Sequence, residues 1–198
     1  MQSSEQDSSW LTRPLCMRYA LAIFAVTTVR IRSADGVHKL PVHWGIGWLS
    51  DGECEILGAW HGGFATDKAP ADILDDLRDR GVERIWHAIG SSIEPLQARL
   101  AAIFPGAIFD HLADPVFTKA LAAAQGRVHQ PAELLVEQIR NGLTRVIHRH
   151  GVFVSPLAAL NVVACTLQQA DRHLGLGSDM RKVRYRLFRR QPADCAPA

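Results

Sequence analysis

The sequence predicts one mixed α/β domain, in which three antiparallel strands precede alternating helices and strands and two helices follow. Two hairpin-type turns divide the β-rich first 60 residues, the hydrophobic period becomes helical after residue 70, and residues 131–167 form a helical pair. With 198 residues, 47% of them hydrophobic, the chain can bury one substantial core.

The first three predicted strands are joined by short turns. They cover Ala20 to Arg32, Leu40 to Leu49 and Cys54 to Trp60, and are rich in β-branched and aromatic residues. Asp35-Gly36 and Asp51-Gly52 between them are typical hairpin turns. These short connections predict that neighbouring strands run antiparallel.

Helices and strands then alternate. Apolar spacing from Ile73 to Leu77, bounded by Pro70 and Gly81, predicts a short helix, and Arg84 to Ile89 predicts a buried fourth strand. The spacing of Ser91 and Glu94 matches a capping box, so a second helix is expected to begin there. Ala107 to Asp110 is predicted as a fifth strand.

The stretch from residue 131 to 160 gives the strongest helical signal. Pro131 suits the first turn of a helix, and Gly151 suits the left-handed residue that ends one. One side of this helix carries Leu135, Ile139, Leu143, Val146 and Ile147, and the other carries Glu137, Asn141, Thr144 and His148. After a short extended segment, Ser155 is predicted to cap a final, largely buried helix that begins at Pro156.

The charge is divided unevenly along the chain. The net charge is +2, but residues 51 to 94 carry ten acids against four bases, and residues 138 to 190 carry ten bases against two acids. A basic surface of this kind can neutralise phosphates, although a solvated tail is the ordinary interpretation of such a run. The candidate phosphate-contacting residues are Arg140, Arg145, Arg149, Arg181, Lys182, Arg184, Arg186, Arg189 and Arg190.

Composition also excludes several classes of protein. The four cysteines lack Cys-x-x-Cys spacing, which argues against a zinc knuckle and a disulfide framework, so a reducing cytoplasm is expected. No apolar run approaches the roughly 20 residues of a membrane span, so no membrane partner is predicted. We expect a disordered segment at 1–12, the folded domain at 13–175 and a basic tail at 176–198.

Several stretches resemble the catalytic domain of mutator-type transposases of bacterial insertion sequences. The clearest runs from Glu137 to Leu160, EQIRNGLTRVIHRHGVFVSPLAAL. Shorter similarities are Arg13-Pro14-Leu15, Val29 to Arg32, Glu55 to Gly58, Asp76 to Val82 and Phe104-Pro105-Gly106. The resemblance extends through most of residues 13 to 175. It implies a ribonuclease-H-like mixed sheet, to which the element order β-β-β-α-β-α-β-α also corresponds, with the first strand, the fourth strand and the last helix of that order close together.

The resemblance also implies an Asp-Asp-Glu metal site that this chain has largely lost. Glu137 matches the family's glutamate, the first aspartate falls on Ala25, and the second falls on Ser91 or Gly90. The family's Cys-x-x-His after the fifth strand corresponds to Leu112 and Pro115, and its helical insertion is reduced to residues 112–130. On a polar helix face, Glu137 is equally explained as a solvated residue.

Loss of two carboxylates makes metal binding doubtful. The family's strand cleavage and transfer use two divalent cations, normally Mg²⁺, and one glutamate cannot hold that pair. Asp35 and Asp110 are the remaining candidate acids for the site, and neither is assigned to it. No metal-binding residues are therefore assigned, and Mg²⁺ or Mn²⁺ is expected to bind weakly, if at all.

Two classes of function remain open at this level. The resemblance implies a transposase-related protein that acts on DNA and is catalytically defective. The alternative is a non-catalytic protein that binds DNA, or pairs with itself or with an intact transposase, and regulates it. A decaying copy without a selected role is a third hypothesis. Beside a transposase-like helix, the basic C-terminal third favours DNA as the partner.

Overall fold

A computed structural model provides the structure of the protein. It describes residues 10–50, 52–62, 72–90, 94–111 and 132–174. The strands are β1 (Arg18–Ser33), β2 (Gly36–Trp48), β3 (Cys54–His61), β4 (Arg84–Gly90), β5 (Ile108–His111) and β6 (Val152–Phe153). The helices are α1 (Ile73–Asp79), α2 (Glu94–Ile103), α3 (Ala132–His150) and α4 (Pro156–His173).

The six strands within these described ranges form one mixed sheet. Its order is β3-β2-β1-β4-β5, and the two-residue β6 pairs with β1. β2 runs antiparallel to β1 and β3, whereas β4 and β6 run parallel to β1, and β5 runs parallel to β4. The predicted mixed α/β class, with antiparallel strands first and helices last, is confirmed.

Alternate residues of β1 face two hydrophobic cores. Leu21 and Ile23 belong to the core that α3 and α4 cover, and Ala22 and Phe24 belong to the core that α1 and α2 cover. This alternation follows from the pleat of a strand, whose successive side chains point to opposite faces. The sheet is therefore covered by helices on both sides, and most of β1 is buried.

The β1–β2 hairpin is longer than the sequence suggested. β1 begins at Arg18 and β2 at Gly36, and the two-residue turn is Ala34-Asp35. Gly36, predicted as part of the turn, already pairs with Ser33 and has φ 135°. Its hydrogen atom in place of a Cβ permits this backbone conformation, so the ladder continues to the turn although Val37 to Lys39 are exposed.

The predicted C-terminal helices are confirmed in detail. Leu135, Ile139 and Leu143 are buried, whereas Glu137 and Asn141 are exposed. Gly151 follows α3 with φ 75°, and its N–H donates to the Ile147 carbonyl at 2.9 Å. None of the helices in the described ranges is long and apolar enough to span a membrane.

The cap of α4 is also the predicted one. Ser155 Oγ accepts a hydrogen bond from the Ala158 N–H at 3.1 Å, and Pro156 occupies the first helical turn. The predicted capping serine of α2, Ser91, and Pro131 before α3 lie outside the described residues. So do the tail at 176–198 and most of segment 1–12, although Trp10 of that segment is buried.

Candidate functional site

The strand register juxtaposes the positions assigned to the two aspartates. The parallel β1–β4 ladder ends at the pair Phe24 and Gly90. Ala25 is the next residue of β1 and Ser91 is the next residue after β4, and Ser91 itself lies outside the described residues. Because the two strands run in the same direction, Ala25 lies just beyond the point on β1 where the carboxyl end of β4 is paired.

Ala25 has no side-chain donor for a metal ion. Its side chain is 2% exposed and forms part of the core beneath α3 and α4. A methyl group has no oxygen donor, so the usual ligand of Mg²⁺ is missing here. The backbone of β5 ends beside the carboxyl end of β4, because His111 pairs with Gly90 and Asp110 with Ile89.

Glu137 lies on the polar face of α3. Its side chain is 53% exposed, and Oε2 lies 3.4 Å from Nη1 of Arg140 one turn later. The opposite face of the helix packs through Leu135 and Ile139 into the same core as Ala25. The structure therefore brings the helix and the strand together, while the carboxylate itself is half exposed and paired with Arg140.

This donor set does not fit the metal pair that the family implies. Within the described ranges, no group of three or more His, Cys, Asp or Glu side chains is placed to hold a metal ion. Ala25 contributes no ligand, and Glu137 is a single carboxylate. Two cations about 4 Å apart require several shared oxygens, so no catalytic step can be derived through this site.

The basic candidates fall into two groups. Arg145 and Arg149 are exposed on α3, and Arg145 Nε donates to the Asn141 carbonyl at 3.3 Å. Arg140 is partly buried and paired with Glu137. The remaining candidates, Arg181, Lys182, Arg184, Arg186, Arg189 and Arg190, lie outside the described residues.

A groove lies between the β1–β2 hairpin and α3, and the sequence did not predict it. Its volume is about 480 Å³, and Arg30 of β1 and Lys39 of β2 stand on its strand side. Its lining is completed by Thr27, Thr28, Thr144, Ile147, His148 and Gly151. These residues come from distant parts of the chain, and no local motif marks them as neighbours.

The sequence also did not predict a buried polar cluster. The cluster consists of Arg13, Tyr19, Glu55 and Asp171. The Arg13 guanidinium lies 3.4 Å from Asp171 Oδ2 and 3.9 Å from Glu55 Oε2, and the Tyr19 hydroxyl donates to Glu55 Oε1 at 2.6 Å. Arg13 is one of the family-like positions, so its role in the fold explains that resemblance without a catalytic function.

Asp171 is the most connected acid of the buried polar cluster. It is 1% exposed and accepts from the Ile56 N–H at 2.9 Å and from Trp10 Nε1 at 3.2 Å. It thereby ties α4 to β3 and to the residues before β1. A carboxylate at the end of an apolar helix was the available signal, but sequence alone did not reveal its partners.

Burial controls the ionisation of groups around this cluster. It raises the pKa of Tyr19 well above its ordinary value, and the nearby charge of Glu55 raises it further. Burial also raises the pKa of the Cys54 thiol to about 12, with added contributions from Asp171 and Glu55. Because reactive cysteines are thiolates, Cys54 is a structural residue rather than a nucleophile.

The chain matches the family described as Transposase, Mutator family, over residues 2–125. It belongs to this transposase family. The match covers β1 to β5 and therefore includes Ala25. It ends before α3, so the assignment of Glu137 as the family's glutamate stays a prediction.

Two curated transposases are similar over about half of the chain. The transposase for insertion sequence element ISRM3 of Rhizobium meliloti (strain 1021) is 30% identical over 104 residues, which are 52% of this chain and 26% of that protein. A probable transposase for an ISRM3-like element of Sinorhizobium fredii (strain NBRC 101917 / NGR234) is 30% identical over 107 residues, 54% of this chain and 27% of that protein. The matches thus span about a quarter of each relative.

Among solved structures, one similar chain comes from a cryoEM structure of the simian T-cell lymphotropic virus intasome in complex with PP2A regulatory subunit B56 gamma. The TM-score is 0.33 at 14% identity, and the alignment covers 94% of this chain and 61% of that chain. This similarity is too low to carry an argument about the fold. The family assignment depends on the sequence match alone.

Proposed function

We propose that this protein of the mutator transposase family binds DNA through a ribonuclease-H-like domain that no longer performs metal-dependent strand cleavage. The observation that carries the proposal is the place of Ala25. It directly follows the last β1–β4 pair and is 2% exposed, where the resemblance calls for a metal-binding aspartate.

The sheet supports the ribonuclease-H-like part of the proposal. The strand order β3-β2-β1-β4-β5, with only β2 antiparallel to its neighbours, is the order of that fold. Helices cover both faces, and α3 packs beside β1. In such a domain the first strand, the end of the fourth strand and this helix surround the catalytic metals.

The chemistry explains why cleavage would be lost. In a two-metal reaction, one cation activates the attacking oxygen and the other stabilises the leaving oxygen. Carboxylates hold both cations against the repulsion between them. Since the position of Ala25 supplies none and Glu137 is half exposed beside Arg140, the described residues offer no equivalent arrangement.

The exposed basic residues support the retained binding. Arg145 and Arg149 project from α3, and Arg30 and Lys39 are exposed on the neighbouring hairpin. Cations at these places can neutralise phosphates and release counterions, a form of binding that depends little on sequence. The basic residues of segment 181–190 would add to the same interaction.

A plasmid assay tests the loss of cleavage. Supercoiled DNA incubated with the purified protein in Mg²⁺ or Mn²⁺ should remain unnicked, and Glu137→Gln should behave like the wild type. Nicking by the wild type that Glu137→Gln abolishes would show a working enzyme with ligands elsewhere. In that case, Asp35 and Asp110 become the next positions to replace.

A restoration variant tests the assigned positions independently. Ala25→Asp combined with Ser91→Asp returns carboxylates to the two assigned positions. Millimolar Mn²⁺ should therefore raise the melting temperature of this double variant and leave that of the wild type unchanged. The matched control, Ala25→Asn with Ser91→Asn, has similar size but no charge and should not respond. Equal responses of the Asp and Asn variants to Mn²⁺ would contradict the assignment.

A further inference from the structure

The groove between β1, β2 and α3 has an uncompensated positive charge. Arg30 and Lys39 are direct partners in the antiparallel β1–β2 ladder, and both line the groove. Neither forms an ion pair with an acid in the described part of the chain. Like charges directly opposite each other destabilise a sheet, so the pair favours an anionic ligand.

The other lining residues supply hydrogen-bond donors. Thr27 and Thr28 contribute hydroxyls from β1, and Thr144 and His148 contribute a hydroxyl and an imidazole from α3. Hydroxyl and cationic side chains are the groups with which proteins usually contact phosphate oxygens. The groove therefore combines charge and hydrogen bonds from three elements that the fold holds in place.

The groove lies close to the position of the lost aspartate. Thr27 is two residues beyond Ala25 on β1, about 7 Å along the strand at 3.3 Å per residue. Arg145 and Arg149 on α3 are exposed and flank its helical wall. A ligand bound along these cations would pass the carboxyl end of β4, where the family's cleavage site would lie.

We propose that this groove holds phosphate groups of a DNA strand. The inference rests on the DNA binding proposed above and names the surface that performs it. An acidic protein segment is less suitable, because Ile147 is the only large apolar side chain among the lining residues and three hydroxyls are present. DNA binding thus persists beside the altered metal site and involves the folded domain as well as the tail.

Salt titration of DNA binding tests the groove. With a short fluorescein-labelled DNA duplex, Arg30→Gln combined with Lys39→Gln should lower the slope of log affinity against log salt by about 1.8, or about 0.9 for each lost phosphate contact. The matched control is Arg18→Gln with Arg84→Gln. These two residues are also exposed partners on neighbouring strands and carry the same charge, but they lie outside the groove, so their slope should stay unchanged.

The control distinguishes two failures. If the wild type binds DNA with a steep salt dependence but both double variants keep that slope, the groove is not the site and the proposed DNA binding stands. Replacing Arg184, Arg186, Arg189 and Arg190 by Gln then tests the tail. If the wild type binds no DNA at low salt, the proposed function fails, and the groove assignment fails with it.

Amide chemical shifts identify the ligand. A short single-stranded oligonucleotide should shift the amides of Thr27, Thr28 and Thr144, and inorganic phosphate at the same ionic strength should shift them much less. Equal shifts with inorganic phosphate, or larger shifts with polyglutamate, would overturn the assignment in favour of a free anion or an acidic protein. The Arg30→Gln/Lys39→Gln variant should melt no lower than the wild type at low salt, because the repulsion is removed; a lower melting point would contradict the charge argument.

Discussion

Carboxylates have opposite environments in two regions of the molecule. In the buried polar cluster, Glu55 and Asp171 are fully buried, and each has several partners, Arg13 among them. Beside the carboxyl end of β4, Ala25 has no oxygen donor, and Glu137 is exposed beside Arg140. The acids of the buried polar cluster therefore have partners within the fold, whereas Glu137 faces solvent and position 25 carries no acid.

The difference separates two reasons for a family resemblance. Removing one member of a buried ion pair leaves the other charge without compensation, so such residues are retained as long as the chain folds. A metal ligand is required by the chemistry rather than by packing, and Ala25 is 2% exposed in the core beneath α3 and α4. Resemblance at Arg13 or Glu55 is therefore evidence of a shared fold, and the residue at position 25 is evidence about activity.

The largest expected effect is in the buried polar cluster. Asp171→Asn should lower the free energy of unfolding by up to about 3–5 kcal/mol, because it removes the nearer of the two carboxylates beside the partly buried Arg13 guanidinium and leaves only Glu55, at 3.9 Å. Urea denaturation measures this loss. The control is Asp35→Asn at a side chain that is 82% exposed, which should change stability by less than about 0.5 kcal/mol. Similar losses in the two variants would remove the basis of the comparison.

A steric change in the same region should have an intermediate effect. A Cβ at Gly47 would lie 2.5 Å from Cδ1 of Tyr19, which donates to Glu55, so Gly47→Ala should cost about 1–3 kcal/mol through displacement of that ring. Gly142→Ala on α3 meets nothing within 4 Å and should stabilise by about 0.5–1 kcal/mol through higher helix propensity. Thermal unfolding of both variants measures the contrast, and a stabilised Gly47→Ala would show that Tyr19 is not held in place.

The smallest expected effect is at Glu137, which is predicted to match the family's glutamate. Glu137→Gln removes an exposed pair with Arg140 at 3.4 Å, so it should change stability by only a few tenths of a kcal/mol. Chemical denaturation in the presence and absence of Mn²⁺ measures it. If the stability loss of Glu137→Gln were larger in the presence of Mn²⁺, Glu137 would hold a metal. Its carboxylate would then have a binding partner, as Glu55 and Asp171 do, and the contrast between the two regions would not hold.

Local signals were sufficient for most of the fold. The apolar face of α3, the left-handed Gly151 and the Ser155 cap are encoded within single helices and their ends, where spacing and residue type decide the conformation. The register of the hairpin was less visible, because exposed residues such as Val37 and His38 pair in the ladder without an alternating pattern. Turn position was therefore misjudged by one residue at Gly36.

The candidate site was only partly accessible from the sequence. Counting along the chain assigns the two aspartates to Ala25 and to Ser91 or Gly90, and the β1–β4 register brings Ala25 next to the pair Phe24 and Gly90. The roles of Glu137 and of the basic residues stay predictions, as do cytoplasmic localisation and pairing with an intact transposase. The groove at Arg30 and Lys39 was not predicted.

The sequence by itself determined the class of fold, the family and the absence of an oxygen donor at position 25, because each of these depends on residue type and spacing along one stretch. Only the tertiary structure decided which charges are compensated. Arg13 meets Asp171 across 158 residues, and Arg30 faces Lys39 beside the distant α3. Electrostatic energy depends on distance in space and on burial, and neither is a property of a position in the chain.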